Sequence, residues 1–330
     1  MGVETVLVVG GAGYIGAHMV KALAAAGYRV VILDDLSTGH REFTAAGRFI
    51  HGSLGDRNVL DALFSEHPID AVMHFAAFSL VGESVKNPLA YYRNNLAGTL
   101  SLLEAMIRFD VKRFIFSSTA AVYGEPTAVP ITEDHPCVPT NPYGATKLAV
   151  ERMLKDCDAA YDLRYMSLRY FNAAGADPGG LIGERHQPES HLIPLVLKTA
   201  LGELPHIGIF GTRYPTPDGT CLRDYVHVND LAQAHLLALK ALLDGRPSGV
   251  YNLGNSKGYS VREVIELSRR ITGRPIPAIE TGNRPGDPAI LVAASEKIRR
   301  ELGWQPEYED LETIIQTAWQ WHQRERDRNR

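Results

Sequence analysis

Val6-Leu7-Val8-Val9-Gly10-Gly11-Ala12-Gly13-Tyr14-Ile15-Gly16 is the stretch from which the fold is read. Val6 to Val9 form a continuous apolar run that ends in glycine, the pattern of a strand buried on both faces. Residues 17–26 read as a helix with Met19, Val20 and Leu23 on one face and Gly27 as its stop. Arg29 to Leu33 read as a second strand, ending in Asp34-Asp35. Two strands joined through a helix must run parallel, because only a crossover connects them. Gly10, Gly13 and Gly16 lie between the first strand and the helix. Glycine there permits a tight turn and lets backbone N–H groups approach a pyrophosphate, and the helix N-terminus adds partial positive charge. An acid roughly 20 residues on, at the end of the second strand, suits an adenosine ribose and repels a 2′-phosphate. Asp34 and Asp35 occupy that place, so the sequence predicts NAD rather than NADP as cofactor.

The alternation continues downstream. Residues 59–64 read as helix through Leu60 and Leu63, and 71–75 as strand. Leu89, Tyr92, Leu96, Leu100, Leu103 and Met106 recur at spacings of three and four and predict one long amphipathic helix. Residues 113–116 read as strand, and 142–158 as helix with Asn141 as cap and Pro142 in the first turn. Residues 163–168 read as another strand. This predicts an α/β fold: a doubly wound parallel sheet of Rossmann type with a smaller, loop-rich C-terminal substrate lobe. Residues 1–172 are the expected NAD-binding domain, with 223–255 rejoining it, and 173–330 the expected nucleotide-sugar lobe. The charged end, 323–330, is expected to fray.

Composition narrows the classes. The chain has 330 residues, 45% hydrophobic and 22% charged, enough to bury a core without staples. A net charge of -4 disfavours a nucleic-acid binder, which needs a basic surplus for phosphates. No run reaches the roughly 20 apolar residues of a membrane span, and the N-terminus does not read as a secretory signal. Cys137, Cys157 and Cys221 are scattered and odd in number. They predict a reducing, cytoplasmic setting and no zinc site, and no metal is expected.

Tyr143 and Lys147 stand four apart and so share one helix face. A nearby ammonium favours a phenolate, which lets a phenol act as general base near neutrality. Ser117-Ser118-Thr119 follow a predicted strand, which places their hydroxyls at the C-terminal edge of the sheet, where such sites form.

Further stretches carry a resemblance. They are Gly-Gly-Ala-Gly-Tyr-Ile-Gly (10–16), His-Phe-Ala-Ala (74–77), Val-Gly-Glu-Ser-Val (81–85) and Tyr-Tyr-Arg-Asn-Asn (91–95). Later come Ser-Ser-Thr-Ala-Ala-Val-Tyr-Gly (117–124), Leu-Arg-Tyr-Phe-Asn (168–172), Arg-Asp-Tyr-Val-His-Val (223–228) and Arg-Pro-Gly-Asp (284–287). Nearly end to end, the chain resembles the UDP-glucose 4-epimerase family, in the extended branch of the short-chain dehydrogenases/reductases. That resemblance implies a tightly held NAD and a UDP-hexose substrate. Tyr143 would take the proton of the sugar 4-hydroxyl, with Thr119 hydrogen-bonded to the same oxygen. Hydride would pass from C4 to the cofactor and return to the opposite face after the sugar swings about its phosphate tether. Lys147 would also bind the nicotinamide ribose. The two long helices around 89–106 and 142–158 resemble the family's dimer bundle, so a homodimer is expected.

By the same resemblance, cofactor contacts fall on Gly10, Gly13, Tyr14, Ile15, Gly16, Asp34, Asp35, Leu36, Ser37, Thr38 and Gly39. They continue through Ser53, Leu54, Phe75, Ala76, Ala77, Ser79, Asn94, Ser117, Tyr143, Lys147 and Phe171. Nucleotide-sugar contacts fall on Thr119, Tyr143, Phe171, Asn172, His191, Leu192, Gly208, Ile209, Phe210, Arg223, Arg284 and Asp287. The arginines suit a diphosphate because their planar donors pair with its oxygens. The chain departs from the pattern at several positions. Thr119 stands where many members have serine, Ser53 where an aspartate meets adenine, Ser79 where some have lysine, and His191 where some have asparagine. Leu291 occupies a position whose bulk limits the sugar pocket, so N-acetylated sugars stay open, as do pentoses. A 4,6-dehydratase on this scaffold would carry Asp-Glu after the threonine; here Ala120-Ala121 follow. A cofactor sensor without chemistry would break the tyrosine–lysine pair, which is intact.

Overall fold

The computed structural model describes residues 3–283 and 287–328. Seven parallel strands form the central sheet: β1 (Thr5–Val9), β2 (Arg29–Asp34), β3 (Arg48–His51), β4 (Ala71–His74), β5 (Arg113–Thr119), β6 (Arg164–Tyr170) and β7 (Gly249–Leu253). Their spatial order is β3-β2-β1-β4-β5-β6-β7, a doubly wound α/β sheet. The order reverses between β1 and β4, where a crevice opens at the C-terminal strand ends. Alternating side chains of β1 serve opposite layers. Val6 and Val8 pack into a core with Met19, Val20 and Leu23 of α1 (Tyr14–Ala25), whereas Leu7 and Val9 face Leu60 of α2 (Arg57–Glu66). Leu102 and Leu103 of α3 (Gly98–Arg108) and Val150 and Leu154 of α4 (Pro142–Tyr161) complete that second layer. The short helix Asp56 introduces is capped by its carboxylate, which accepts from Asn58 N and Val59 N.

The second lobe has its own core. Ile193, Val196 and Leu197 of α5 (Leu192–Ala200) meet Val264 and Ile265 of a helix at Val261–Thr272 and Ile314 and Ile315 of a helix at Leu311–Arg328. Residues Tyr225–His227 pair with Asn172–Ala174 outside the main sheet, whereas Gly249–Leu253 lies in it beside β6. The helix between them, Val228–Leu243, packs in the same layer as α1.

Three expectations are corrected. The helix predicted over Leu89–Met106 is not uniform: a turn at Pro88–Tyr91 passes through a π-helical stretch, Tyr92–Ala97, into α3. The wider turn resets the helix face, so Leu103 and Met106 are buried while Leu89, Tyr92 and Leu100 are exposed. The serines at 117 and 118 lie within β5, which runs to Thr119, rather than after it. The charged C-terminus does not fray over its described part. It is helical to Arg328, with Trp321 buried and the Glu325 carboxylate accepting from Arg185 at 2.9 Å. The ion pair of Glu325 with Arg185 and the buried Trp321 one turn before it dock one side of the helix, which composition alone does not reveal. Among the described residues, no helix is long and apolar enough to cross a membrane.

Candidate functional site

The turn after β1 is shaped by close backbone approach. Gly10 has φ +78, and a Cβ there would lie 2.5 Å from Ala76 N. A Cβ on Gly16 would lie 2.1 Å from the Gly10 carbonyl oxygen, so glycine is required where α1 meets the turn. At Gly13 the nearest atom is 3.4 Å away. The start of α1 has no side-chain cap, which leaves its first N–H groups for an anion. Asp34 anchors the turn: its carboxylate accepts from Ala12 N at 2.9 Å and from Leu36 N at 2.8 Å. Burial raises its pKa, and those two N–H groups oppose the shift. These features fit a dinucleotide: an open glycine at an uncapped helix start, with a carboxylate at the next strand end.

Two adjoining hollows follow from it. The smaller, about 70 Å³, is lined by Gly10, Gly13, Asp34, Asp35, Ser37, Thr38, Ser53, Leu54, Phe75, Ala76, Ala77 and Asn94. The larger, about 280 Å³, is lined by Gly10, Gly13, Tyr14, Ile15, Gly16, Thr38, Phe75, Ala77, Ser79, Thr119, Tyr143, Lys147, Phe171, Asn172 and His191. Leu36 and Gly39 line neither hollow among the residues that form them. Leu36 takes φ +58 in the turn, and Gly39 packs so tightly that a Cβ would lie 2.8 Å from Asp34 Oδ1. Removing the Asp34 carboxylate removes a charged acceptor, worth about 1.5–3 kcal/mol when hydrogen-bonded. Asp34→Ser is therefore expected to weaken NAD at least about tenfold and to narrow its preference over NADP, as read by calorimetric titration of cofactor-stripped protein.

Tyr143 and Lys147 project from the first turns of α4, whose start is capped by Asn141 Oδ1 accepting from Gly144 N at 2.9 Å. Burial raises the Tyr143 phenol, while a hydrogen bond from Thr119 works the other way. Thr119 is the last residue of β5, so strand end and helix start converge on one point. Lys147 is buried and donates to the Ser117 carbonyl at 2.8 Å. Its ammonium lies 4.8 Å above the Phe116 ring and 6.0 Å from the Tyr143 ring centre. Burial lowers it to about 7, with the Glu151 carboxylate pulling upward. The expectation that Lys147 pulls the phenol down is thus outweighed within the chain itself: desolvation governs both groups. Ser117 lines none of the hollows; its hydroxyl lies 3.3 Å from His235 Nε2, and Ser118 donates to Glu151.

A third hollow, about 190 Å³, adjoins through Asn172, Ala173 and His191, which line both. Leu192, Gly208, Phe210, Arg223 and Asp287 line it as well. Arg223 is oriented by the carbonyls of Leu222 and Pro288, each at 2.9 Å, with Asp287 3.9 Å away. Ile209 is not brought there. It is buried in the second lobe's core, because strand alternation turns it opposite to Gly208 and Phe210. Arg284 lies outside the described residues. Leu291 packs against the cluster of Phe171, Tyr123 and Ile131 and lines none of the three hollows.

Several lining residues were not among the expected contacts, although Glu83, Tyr170 and Tyr225 lie in stretches that carry the resemblance. Phe78, Leu80, Glu83 and Tyr170 line the large hollow, and Cys221, Tyr225 and Val261 the third. Glu184, His186, Gln187 and Pro188 reach the large hollow from the segment before α5. Burial opposes charge on His186 and His191, yet Glu184 and Glu189 raise them to about 9 and about 10. The signal for that set is Glu-x-His-x-x-Glu-x-His over 184–191, about which cysteine spacing is silent.

The NAD dependent epimerase/dehydratase family matches residues 6–254. A UDP-glucose 4-epimerase of Halalkalibacterium halodurans is 56% identical over 317 residues, covering 96% of this chain and 95% of its own. The crystal structure of a UDP-glucose 4-epimerase from Brucella ovis in complex with NAD is 47% identical, with a TM-score of 0.94, over 96% of this chain and 97% of that one. The corresponding enzyme of Bifidobacterium longum in complex with NAD+ and UDP is 39% identical, with a TM-score of 0.93, over 98% and 99%.

Proposed function

Since the chain belongs to the NAD dependent epimerase/dehydratase family, we infer that it is a UDP-glucose 4-epimerase, interconverting UDP-glucose and UDP-galactose with NAD held throughout. The observation that carries this reading is the convergence of Tyr143 and Thr119 in a hollow that begins at the Gly10–Gly16 turn and adjoins a second one at Asn172 and His191. Cofactor and nucleotide sugar would thus meet at one phenol.

Bound NAD supplies the acceptor for the C4 hydride and the positive ring charge that favours a phenolate nearby. The chain's own groups do the rest. Tyr143 removes the 4-hydroxyl proton and later returns one, with Thr119 holding the same oxygen. Lys147, fixed by the Ser117 carbonyl, sets the local charge. Arg223 suits the diphosphate, so the nucleotide is gripped while the sugar turns. Nothing after Thr119 offers a second proton carrier: Ala120 and Ala121 follow it, which argues against 4,6-elimination.

Incubation with UDP-galactose is expected to give UDP-glucose, and the reverse incubation the same final mixture, with no net reduction of cofactor. A 4-keto-6-deoxy product would overturn the reading. UDP-N-acetylgalactosamine and a UDP-pentose, run in parallel, report the breadth of the sugar pocket; slower turnover of both than of UDP-galactose is expected. We assign the residue roles above on the same grounds. A homodimer in the cytoplasm completes the reading. Exposed Leu89, Tyr92 and Leu100 support the dimer, since they lie on the 89–106 segment of the expected bundle and a second copy would cover them, and three free cysteines support a reducing compartment.

A further inference from the structure

We propose that Glu184, His186, Glu189 and His191 bind a zinc ion at the seam between the cofactor and nucleotide-sugar hollows. The four groups offer one ligand atom each, all within 4.8 Å of one another. Both imidazoles present Nδ1 to the two carboxylates. His186 Nδ1 lies 3.1 Å from Glu184 Oε1 and 3.8 Å from Glu189 Oε2. His191 Nδ1 lies 2.7 Å from Glu184 Oε1 and 3.3 Å from Glu189 Oε1. Zinc bonds of about 2.0–2.2 Å in tetrahedral geometry place ligand atoms about 3.3–3.5 Å apart. Glu189 Oε1 already accepts from Ser190 N at 2.8 Å and His191 N at 2.9 Å, so Oε2 is its ligand atom, and the separations of 2.7, 3.1 and 3.8 Å among these atoms bracket that edge length.

A second observation points the same way. The Glu189 side chain is 3% exposed, and its Oε2 is buried without a hydrogen-bond partner. Such an atom normally finds a partner, and here it lies on the side of His186, 3.8 Å from its Nδ1. Two carboxylates and two neutral imidazoles make a neutral site with a divalent ion. Two imidazoles select a transition metal over Mg²⁺ or Ca²⁺, which take oxygen-rich sets of six or more.

The consequence is mechanical. The segment bearing the four residues is also held by Trp321 Nε1 donating to the Glu184 carbonyl at 3.1 Å and by the Arg185 guanidinium donating to Glu325 at 2.9 Å. A metal would pin it as the wall shared by both hollows.

The test uses full-length, tag-free, NAD-loaded protein, stripped with chelator and then dialysed against Zn²⁺ or Co²⁺. One Zn²⁺ per chain is expected by elemental analysis after gel filtration, and the Co²⁺ form is expected to show the intense visible absorption of four-coordinate cobalt. Glu189→Gln and His186→Asn should each weaken Zn²⁺ by at least about 100-fold, since even outer-shell changes cost 10–100-fold. Stoichiometry well below one, or binding unchanged in both variants, would leave ion pairs only and overturn the proposal. Should a variant fail to fold, the cobalt spectrum of the unaltered protein decides by itself: six-coordinate or absent bands reject the site. No substrate enters these measurements, so their outcome is separate from that of the epimerase reading.

Discussion

Tyr143→Phe is expected to keep the fold and the bound NAD while lowering epimerisation at least about 10³-fold. A positioned general acid or base contributes roughly 10²–10⁴-fold, and here one phenol is asked to serve in both directions. The substitution removes one oxygen from a buried ring and leaves its apolar packing in place. Thr119 remains, but a threonine hydroxyl has too high a pKa to replace the phenol. Its partner role predicts a smaller effect: Thr119→Val should lower turnover by about tenfold to 100-fold, as the loss of one hydrogen bond to the reacting oxygen implies. Tyr143 also gives the kinetics a signature. Burial raises the phenol and lowers Lys147 to about 7, so a phenol-to-lysine charge balance has to be set by what binds beside it. The measurement is initial rate by coupled assay, together with cofactor content by extraction. Turnover within tenfold of the unaltered enzyme would remove the phenol from the mechanism.

Glu151→Ala is expected to cost about 3–5 kcal/mol of stability, as does leaving a buried charge unpaired. Glu151 and Arg169 are both buried, and Arg169 Nε donates to the carboxylate at 2.9 Å. The pair is braced further: Arg169 Nη1 donates to the Tyr123 hydroxyl at 2.9 Å, which donates to Asn252 Oδ1 at 2.7 Å. Glu151 sits one turn beyond Lys147 on α4, and Arg169 lies on β6, so the pair ties the helix that carries Tyr143 to the sheet. Alanine leaves a guanidinium without its counter-charge in a region that water does not reach. Arg169→Met combined with Glu151→Leu should recover most of the loss, because the buried charge goes with its partner. Chemical denaturation of both variants beside the unaltered protein reads both effects. A loss below about 1 kcal/mol for Glu151→Ala would show that the pair is solvated in solution.

Much of this protein is legible in its amino-acid sequence. Val6 to Val9 with three glycines and a strand-end acid is a local pattern, and local sterics suffice to place a turn, a helix start and a carboxylate near one another. Tyr143 and Lys147 are likewise one turn apart on a single helix, so their shared face follows from helix geometry. Where the signal depended on neighbours far along the chain, it failed. The spacing over 89–106 reads as one smooth helix, yet the π-helical stretch at Tyr92–Ala97 turns Leu89, Tyr92 and Leu100 outward. The charged tail reads as frayed, yet Arg185, 140 positions earlier, receives Glu325. Ile209 sits between two residues of the third hollow and faces the other way.

The amino-acid sequence alone determined the class of fold, the cofactor end and the phenol to which the proposed chemistry is assigned, because each is encoded by residues within a few turns of one another. Only the tertiary structure decided what surrounds that phenol. Burial, rather than the neighbouring ammonium, sets its proton affinity, and burial is a property of every element packed around a group. The Glu184–His191 set was decided there too, since four side chains from an irregular segment converge only when α1 and the C-terminal helix fix the backbone between them.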